Sequence, residues 1–198
     1  MLVAACADLF LGIALLRLYF RFPFRFDYPI AVAASAIAIF STFVLIDFDY
    51  DRITSGVFRH GQTRLDQNDR LLFYKDGKTA SISVVSSNRG TVRIATNGKT
   101  DGEAHIIEGA QYTVDEPTMM LAAALPLAHV EKAEKAAVIG FGTGLSTHTL
   151  LADPGLSVVD TIEIEEAIVT GAAAFGTRNQ RAYIDQRSKI HIEDAKSF

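Results

Sequence analysis

The stretch from Ala136 to Leu145, AAVIGFGTGL, most constrains how this chain can fold. Its apolar first half predicts a buried strand, its glycines predict a tight turn, and residues 145–152 predict the first turns of a helix. A strand, a glycine-rich turn and a helix start, in that order, are typical of a nucleotide-binding crossover. Glycine suits this turn because a side chain would hold the backbone away from a bound nucleoside.

The spacing of the glycines distinguishes between nucleotides. Gly140, Gly142 and Gly144 form a Gly-x-Gly-x-Gly turn, whereas the dinucleotide fingerprint has its third glycine one place later, where this chain has Leu145. The pattern therefore favours an S-adenosyl-type ligand over NAD. A tight turn with a purely structural role is the alternative.

Strand and helix patterns alternate from Lys135 onward. Residues 158–165 predict a second strand, residues 166–175 predict its helix, and residues 189–192 predict a third strand. This alternation predicts an α/β fold with a parallel sheet and right-handed crossovers. Because the chain stops soon after the third strand, we expect the first half of a Rossmann-like sheet, of the type found in S-adenosylmethionine methyltransferases, truncated there.

Carboxylates follow the predicted strands at the edge where ligands bind in such sheets. Glu163 lies about 20 residues past the glycine turn, the spacing at which a carboxylate accepts hydrogen bonds from two ribose hydroxyls. Glu165 and Glu166 are alternatives, although Glu165 is also suited to capping the next helix. Asp194 follows the third strand, where its carboxylate can accept from an adenine amino group or cap a helix.

Two apolar runs begin the chain. Leu2–Leu16 is apolar apart from Asp8, and Pro29–Ile46 has no charged residue. Since a helix needs about 20 apolar residues to span a bilayer, residues 1–46 are predicted to form two transmembrane helices. A secretory signal peptide fits the first run poorly, because no basic residues precede it.

The loop between these runs alternates aromatic residues with arginines, which is typical of a membrane interface. The positive-inside rule places this loop in the cytoplasm and the remainder outside, which conflicts with a cytosolic nucleoside ligand. We predict a multi-pass membrane protein that contacts the lipid bilayer and whose globular part is cytoplasmic.

The middle of the chain predicts a small β domain. Residues 47–70 are polar and predict a linker, and residues 71–112 contain three short strand patterns with a hairpin turn at Asp76-Gly77. Residues 115–129 predict a helix, because Pro117 and the adjacent acids suit a first turn. Residues 113–198 then form the N-terminal half of the Rossmann-like domain.

Composition excludes several classes of function. The net charge of -4 gives no indication of nucleic-acid binding. The single cysteine, Cys6, excludes an internal disulfide, and the five histidines lack the spacing of a zinc site. We therefore predict neither a nucleic-acid partner nor a metal.

Three segments together resemble the spermidine synthase (polyamine aminopropyltransferase) family, and more closely its membrane-attached, spermidine-synthase-like branch. They are Val138–Gly144, Asp160–Glu165 and Ile192–Ala195. The resemblance covers roughly residues 55–198. It implies aminopropyl transfer from decarboxylated S-adenosylmethionine to a polyamine such as putrescine.

The resemblance also implies roles for individual residues. The turn Gly140, Gly142, Thr143 and Gly144 would pack along the nucleoside and thioether. Glu163 would bind the ribose and Asp194 would contact the adenine, as the residue pattern already suggests.

The sequence departs from the family's pattern at several positions. Thr143 stands where the family's glycine turn usually has an Asp, Asp101 where it has a Gln, and Met119 or Met120 where it has a Tyr. Asp101 is predicted to contact the amine substrate. The family's catalytic Asp falls beyond Phe198, so we expect these residues to contain no catalytic group and to show no turnover by themselves.

Two other functions stay open. Methyltransferases usually carry an acid two residues before the first glycine, where this chain has Val138. An S-adenosylmethionine-dependent methyltransferase and a non-catalytic, membrane-tethered nucleoside-binding module are the alternatives to an aminopropyltransferase. A homo-oligomer is compatible with each of them.

Overall fold

The structure is a computed structural model that divides into two compact units, Met1–Phe48 and Asp49–Phe198. It describes residues 7–8, 10–12, 14–15, 33–41, 48–57 and 61–198. In the first unit the described residues are helical up to residue 41.

The predicted pair of transmembrane helices in residues 1–46 is wrong. Among the residues described, no helix is both long enough and apolar enough to cross a bilayer. The remainder of the predicted spans, and the arginine-rich loop between them, lie outside the described residues. The predicted multi-pass membrane localisation is overturned by the same finding.

The second unit contains two sheets and several helices. In chain order the elements are α1 (Tyr50–Ile53), β1 (Asp69–Asp76), β2 (Ser81–Ser87), β3 (Thr91–Thr96), β4 (Lys99–His105), α2 (Asp115–Ala128), β5 (Lys135–Ile139), α3 (Leu145–Leu150), β6 (Val158–Glu163), α4 (Glu166–Ala172), a 3-10 helix (Ala173–Arg178), α5 (Arg181–Ile184) and β7 (Ser188–Ile192).

Strands β1 to β4 form an antiparallel sheet in chain order. The hairpin predicted at Asp76-Gly77 is confirmed, because the Gly77 N–H donates to the Ala80 carbonyl at 2.8 Å and β1 pairs with β2. The fourth strand was not predicted. One face of this sheet is apolar and carries Ile82, Val84, Val92, Ile94 and Ala104. The opposite side, called here the outer face, carries Ser83, Val85, Arg93, Ala95 and Glu103.

Strands β5, β6 and β7 form a parallel sheet in that order, as the alternating pattern predicted. Lys135 pairs with Val158, and Val159 pairs with Ser188. All three strands therefore end at the same edge of the sheet. Helix α3 follows β5 through the glycine turn, and α4 follows β6.

A shared core joins the two sheets. The apolar face of the antiparallel sheet packs with Phe141, Ala167, Ala172 and Phe175, which follow β5 and β6. Helix α4 approaches this face so closely that a Cβ atom on Gly171 would lie 2.9 Å from the Phe73 ring and 3.0 Å from Val84. A second cluster around Leu150, Leu151, Leu156 and Val159 holds α3 against the parallel sheet.

Candidate functional site

The glycine turn between β5 and α3 depends on left-handed backbone. Gly140, Gly142 and Gly144 have φ values of 88°, 53° and 76°, which L side chains rarely adopt. Within the described part of the chain, no neighbouring atom lies within 4 Å of a Cβ built on Gly140 or Gly142. A Cβ built on Gly144 would lie 2.7 Å from the Phe141 ring. The first two glycines therefore face open space, while the third is needed for packing.

Glu163 lies at the end of β6, beneath this turn. Its residue surface is only 4% exposed. Its Oε2 accepts from the Phe141 N–H at 2.8 Å, and its Oε1 accepts from the Glu165 N–H at 2.9 Å. The carboxylate therefore ties the glycine turn to the end of β6, and each oxygen retains one further acceptor site.

Asp194 lies on the neighbouring strand end. The Glu193 N–H donates to the Glu163 carbonyl at 3.1 Å, which holds the ends of β6 and β7 together. Asp194 is exposed, and its Oδ1 accepts from the Lys196 N–H at 3.0 Å. The carboxylate thus stabilises the turn that follows β7 and remains accessible from outside.

Thr143 is buried within the turn. Its hydroxyl donates to the Met119 sulfur at 3.0 Å, and its Oγ1 accepts from the Leu145 N–H at 3.3 Å. A Cβ on Gly102 would lie 3.0 Å from the Thr143 methyl group. The Thr143 and Met119 side chains therefore contact each other.

Asp101 lies on β4 and is exposed. Its carboxylate accepts from the Thr96 hydroxyl. The residue of β4 that faces the glycine turn is its neighbour, Gly102.

Asn179 was missed by the sequence analysis. It is 1% exposed, and its Nδ2 donates to the carbonyls of Thr143 and Ala172, each at 2.7 Å. One side chain thus fixes the glycine turn to the end of α4. A single asparagine outside any motif carries no signal of this role in the sequence.

Glu165 has a second role besides the cap that its position suggested. Its side chain accepts from the Ala167 N–H at 3.4 Å and from the Thr79 N–H at 2.9 Å. The Thr79 N–H is the main reason that the pKa of this carboxyl is lowered. A Cβ on Gly77 would collide with the same carboxylate, so glycine is needed in the hairpin turn.

A cavity of about 280 Å³ adjoins the strand ends. It lies between the β1–β2 turn and the ends of β6 and β7, and its lining includes Gly77, Lys78, Ile164, Glu165 and Ile192. Ile164 and Ile192 supply its apolar side chains, and the other lining residues apart from Gly77 are charged. The cavity lies beside the end of β6, which carries Glu163.

Helix α3 carries His148, which contacts Arg181. Burial foremost, and the Arg181 guanidinium next, lower the pKa of this imidazole. Among the described residues, no three His, Cys, Asp or Glu side chains are grouped so that they could hold a metal ion.

The fold is similar to that of known proteins although the sequence is not. No protein-family model matches the chain, and a search of curated proteins finds no match. The crystal structure of spermidine synthase from Thermotoga maritima matches 63% of this chain and 41% of that one, with 16% identity and a TM-score of 0.53. A spermidine synthase in complex with the transition state analogue AdoDATO matches with the same values.

The chain therefore matches less than half the length of these structures. At this identity the similarity concerns the fold, a mixed α/β arrangement shared with spermidine synthases. The membrane-attached branch of that family gains no support.

Proposed function

We propose that the chain binds the adenosine part of an S-adenosylmethionine-like ligand across the ends of β5, β6 and β7. The observation that carries this proposal is the open space above Gly140 and Gly142, which a Cβ atom would enter. Glycines with positive φ beside a strand end allow the backbone to approach a nucleoside. The AdoDATO complex of a protein with this fold supports the same class of ligand.

Two carboxylates define the polar contacts of this proposal. The remaining acceptor sites of Glu163 would receive the ribose hydroxyls, and Asp194 would accept from the adenine amino group. Glu163 is already fixed by two backbone N–H groups, so it would lose little side-chain entropy on binding.

The finer proposal is aminopropyl transfer from decarboxylated S-adenosylmethionine to a polyamine such as putrescine. The sulfonium of the bound co-substrate supplies the electrophilic carbon that an amine attacks. The amine must first lose a proton, because its pKa in water is near ~10.4 by analogy with Lys. None of the described residues is assigned as the base; Asp101 remains the proposed amine contact.

A non-catalytic nucleoside-binding module is the second candidate, and one observation favours it. The Thr143 hydroxyl donates to the Met119 sulfur at the turn position where the resemblance would place an Asp that helps to hold the aminopropyl amine. A methyltransferase is less well supported, since Val138 packs against the apolar cluster around Leu150 instead of offering an acid.

The binding proposal is tested with two matched glycine variants. Gly140→Ala and Gly109→Ala both place a side chain at positive φ, 88° and 77°, with open space around the new Cβ. Each should lose about 1–2 kcal/mol of stability. Only Gly140→Ala should weaken binding of 5'-methylthioadenosine, by at least about tenfold, in calorimetric titrations.

Equal effects of the two variants on binding would contradict the nucleoside site. The finer proposal requires a separate comparison. If the chain is suited to aminopropyl transfer, decarboxylated S-adenosylmethionine should bind more tightly than S-adenosylmethionine, because both carry the ammonium and only the latter brings a carboxylate that would have to be desolvated. Tighter binding of S-adenosylmethionine would be compatible with the nucleoside site but would contradict the proposal of aminopropyl transfer.

A further inference from the structure

A second cavity, lined by the helices that follow β5 and β6, is not used by the proposed function. Its volume is about 210 Å³. His148 and Thr149 of α3 line it, together with Arg178 at the end of the 3-10 helix and Arg181 at the start of α5. Among the residues that the structure describes, no carboxylate forms part of this lining. The charged groups that line the cavity are therefore all basic.

The His148 imidazole faces two donors from Arg181. The Arg181 backbone N–H donates to His148 Nδ1 at 3.2 Å, and Arg181 Nη1 lies 3.0 Å from His148 Nε2. A neutral imidazole has one acceptor nitrogen and one N–H group. Because Nδ1 accepts from the backbone N–H, the hydrogen atom is on Nε2. The Nε2–H of His148 and the guanidinium of Arg181 are thus two donors that face each other without an acceptor between them.

The surroundings of the ring keep it in this state. Burial foremost, and then the Arg181 guanidinium, lower the pKa of His148, so the imidazole is neutral near pH 7. The Asn179 carbonyl acts on the same pKa in the opposite direction, but this carbonyl already accepts from the Ala182 N–H at 3.0 Å. An acceptor that bridges the two facing donors therefore has to come from outside the chain.

The carboxylates nearest to the cavity have other partners. Arg178 donates to the fully buried Glu116, and Asp185 accepts from Arg187 Nη2 at 2.8 Å. Asp185 attracts Arg181 only over a longer distance, which helps to lower the pKa of the Asp185 carboxyl. In the described part of the chain, no ion pair joins a carboxylate to Arg181. Arg181 is therefore the cation of this cavity that a new anion can bind.

Apolar surface lies beside the two facing donors. Met120 of α2 and Ala152, which follows α3, both line the cavity. Met120 is half-buried and Ala152 is exposed, so neither is fully covered by the chain itself. A hydrocarbon group attached to an anion would therefore find apolar atoms to contact.

We propose that this cavity binds a short aliphatic carboxylate, with one oxygen on the Nε2–H of His148, the other on the Arg181 guanidinium, and its hydrocarbon chain on Met120 and Ala152. A carboxylate in this position replaces the contact between two donors by two hydrogen bonds, and charge assists the one from the guanidinium. Its single negative charge also matches a single cation that has no carboxylate of its own. A neutral amide of the same shape offers an acceptor but no charge.

NMR titration of the ¹⁵N-labelled full chain with butanoate and with butanamide, at equal ionic strength, tests the proposal. Butanoate should bind and should shift the resonances of the His148 imidazole and the Arg181 amide. Butanamide should bind at least about tenfold more weakly, because it lacks the charge. Arg181→Gln should weaken butanoate binding by about tenfold or more, and His148→Phe, which keeps a ring but removes both nitrogens, by a few fold.

Arg70→Gln is the matched control, because Arg70 is exposed on β1 and does not line the cavity. It should leave butanoate binding unchanged. Thermal unfolding of each variant shows whether it has folded, and His148→Phe keeps the test usable if Arg181→Gln has not. The proposal is overturned if butanoate does not bind, if butanamide binds equally well, or if neither cavity variant lowers the affinity for butanoate more than Arg70→Gln does.

The test also separates this cavity from the nucleoside site. Arg181→Gln should leave binding of 5'-methylthioadenosine unchanged, and Gly140→Ala should leave binding of butanoate unchanged. If Arg181→Gln folded normally but abolished nucleoside binding, the cavity would be part of the nucleoside site and the proposal of a separate carboxylate site would be overturned.

Discussion

At the scale of single residues, two carboxylates two positions apart have different tasks. Glu163 accepts from the N–H groups of Phe141 and Glu165 and so shapes the glycine turn. Glu165 accepts from the N–H groups of Ala167 and Thr79 and so joins α4 to the hairpin. The spacing from the glycine turn pointed to Glu163, but the residue types alone did not separate the two roles.

The Glu165 contacts predict a pH dependence of stability. Because the Thr79 N–H lowers the folded-state pKa, the carboxylate stabilises the fold above its ordinary pKa of about 4.5. That contribution to stability is lost as the pH falls through the lower folded-state pKa of Glu165. Urea unfolding should show wild type more stable than Glu165→Gln at pH 7, with a difference that shrinks below about pH 4.

Glu131→Gln serves as the control for this prediction, because Glu131 is exposed and lies outside the helices and strands. Its stability should follow that of wild type across the same pH range. A difference between Glu165→Gln and wild type that grows on acidification would contradict the assigned role.

Some residues of the candidate site could be predicted from the sequence and others could not. Gly140, Gly142 and Glu163 belong to a pattern with fixed spacing, so their proximity could be predicted. Asn179 and Thr79 act through contacts made across 36 and 86 residues. Such contacts exist only once the chain has folded, and no local sequence pattern around either residue predicts them.

At the scale of elements, α4 provides a case where local propensity and packing disagree. Replacing a helical glycine by alanine normally stabilises a helix by about 1 kcal/mol. At Gly171 the new Cβ would lie 2.9 Å from the Phe73 ring and 3.0 Å from Val84. We expect Gly171→Ala to lower the free energy of unfolding by about 1–3 kcal/mol, measured by urea denaturation.

Phe73→Leu provides the matching test, because it shortens the side chain that the new methyl group would meet. In that background, Gly171→Ala should cost less than in wild type. An increase in stability from Gly171→Ala alone would mean that the helix is not held where the structure has it.

Strands with a clear pattern were predicted, and the one without it was missed. Residues 91–96 alternate in the way that a half-buried strand requires, and β3 has these bounds. Strand β4, Lys99–His105, has the sequence KTDGEAH, which offers little β propensity. This segment is a strand because it pairs with β3. Hydrogen bonds to a neighbouring strand can override a weak local β propensity.

At the scale of the whole molecule, the two sheets of the second unit are expected to unfold together. Ile94 is fully buried on the antiparallel sheet, in the same core as Phe175. Ile94→Ala should therefore cost about 2–5 kcal/mol. Native-state hydrogen exchange should show this loss at the Val159 amide of β6 as well as in β3.

The Val159 N–H donates to the Arg187 carbonyl at 2.9 Å in the parallel sheet, so its exchange reports on that sheet. A loss of protection confined to β1–β4 would show that the two sheets open separately. In that case the shared core would not couple them.

The error at the N-terminus has a physical reason. Hydropathy over residues 29–46 counts apolar side chains, whereas crossing a bilayer requires one helix that continues over about 20 residues. Among the residues that the structure describes, no helix meets this requirement. Composition therefore identified apolar runs without showing whether each of them forms one continuous helix.

The bond from the Thr79 amide to the Glu165 carboxylate gives this protein an internal reporter. The amide proton of Thr79 points at the negatively charged carboxylate. Its NMR chemical shift therefore changes when another group forms a hydrogen bond or ion pair with the same carboxylate. Glu165 lines the cavity beside the strand ends. Occupancy there can thus be read from one isotope-labelled backbone position in the hairpin, with no chromophore attached to either molecule.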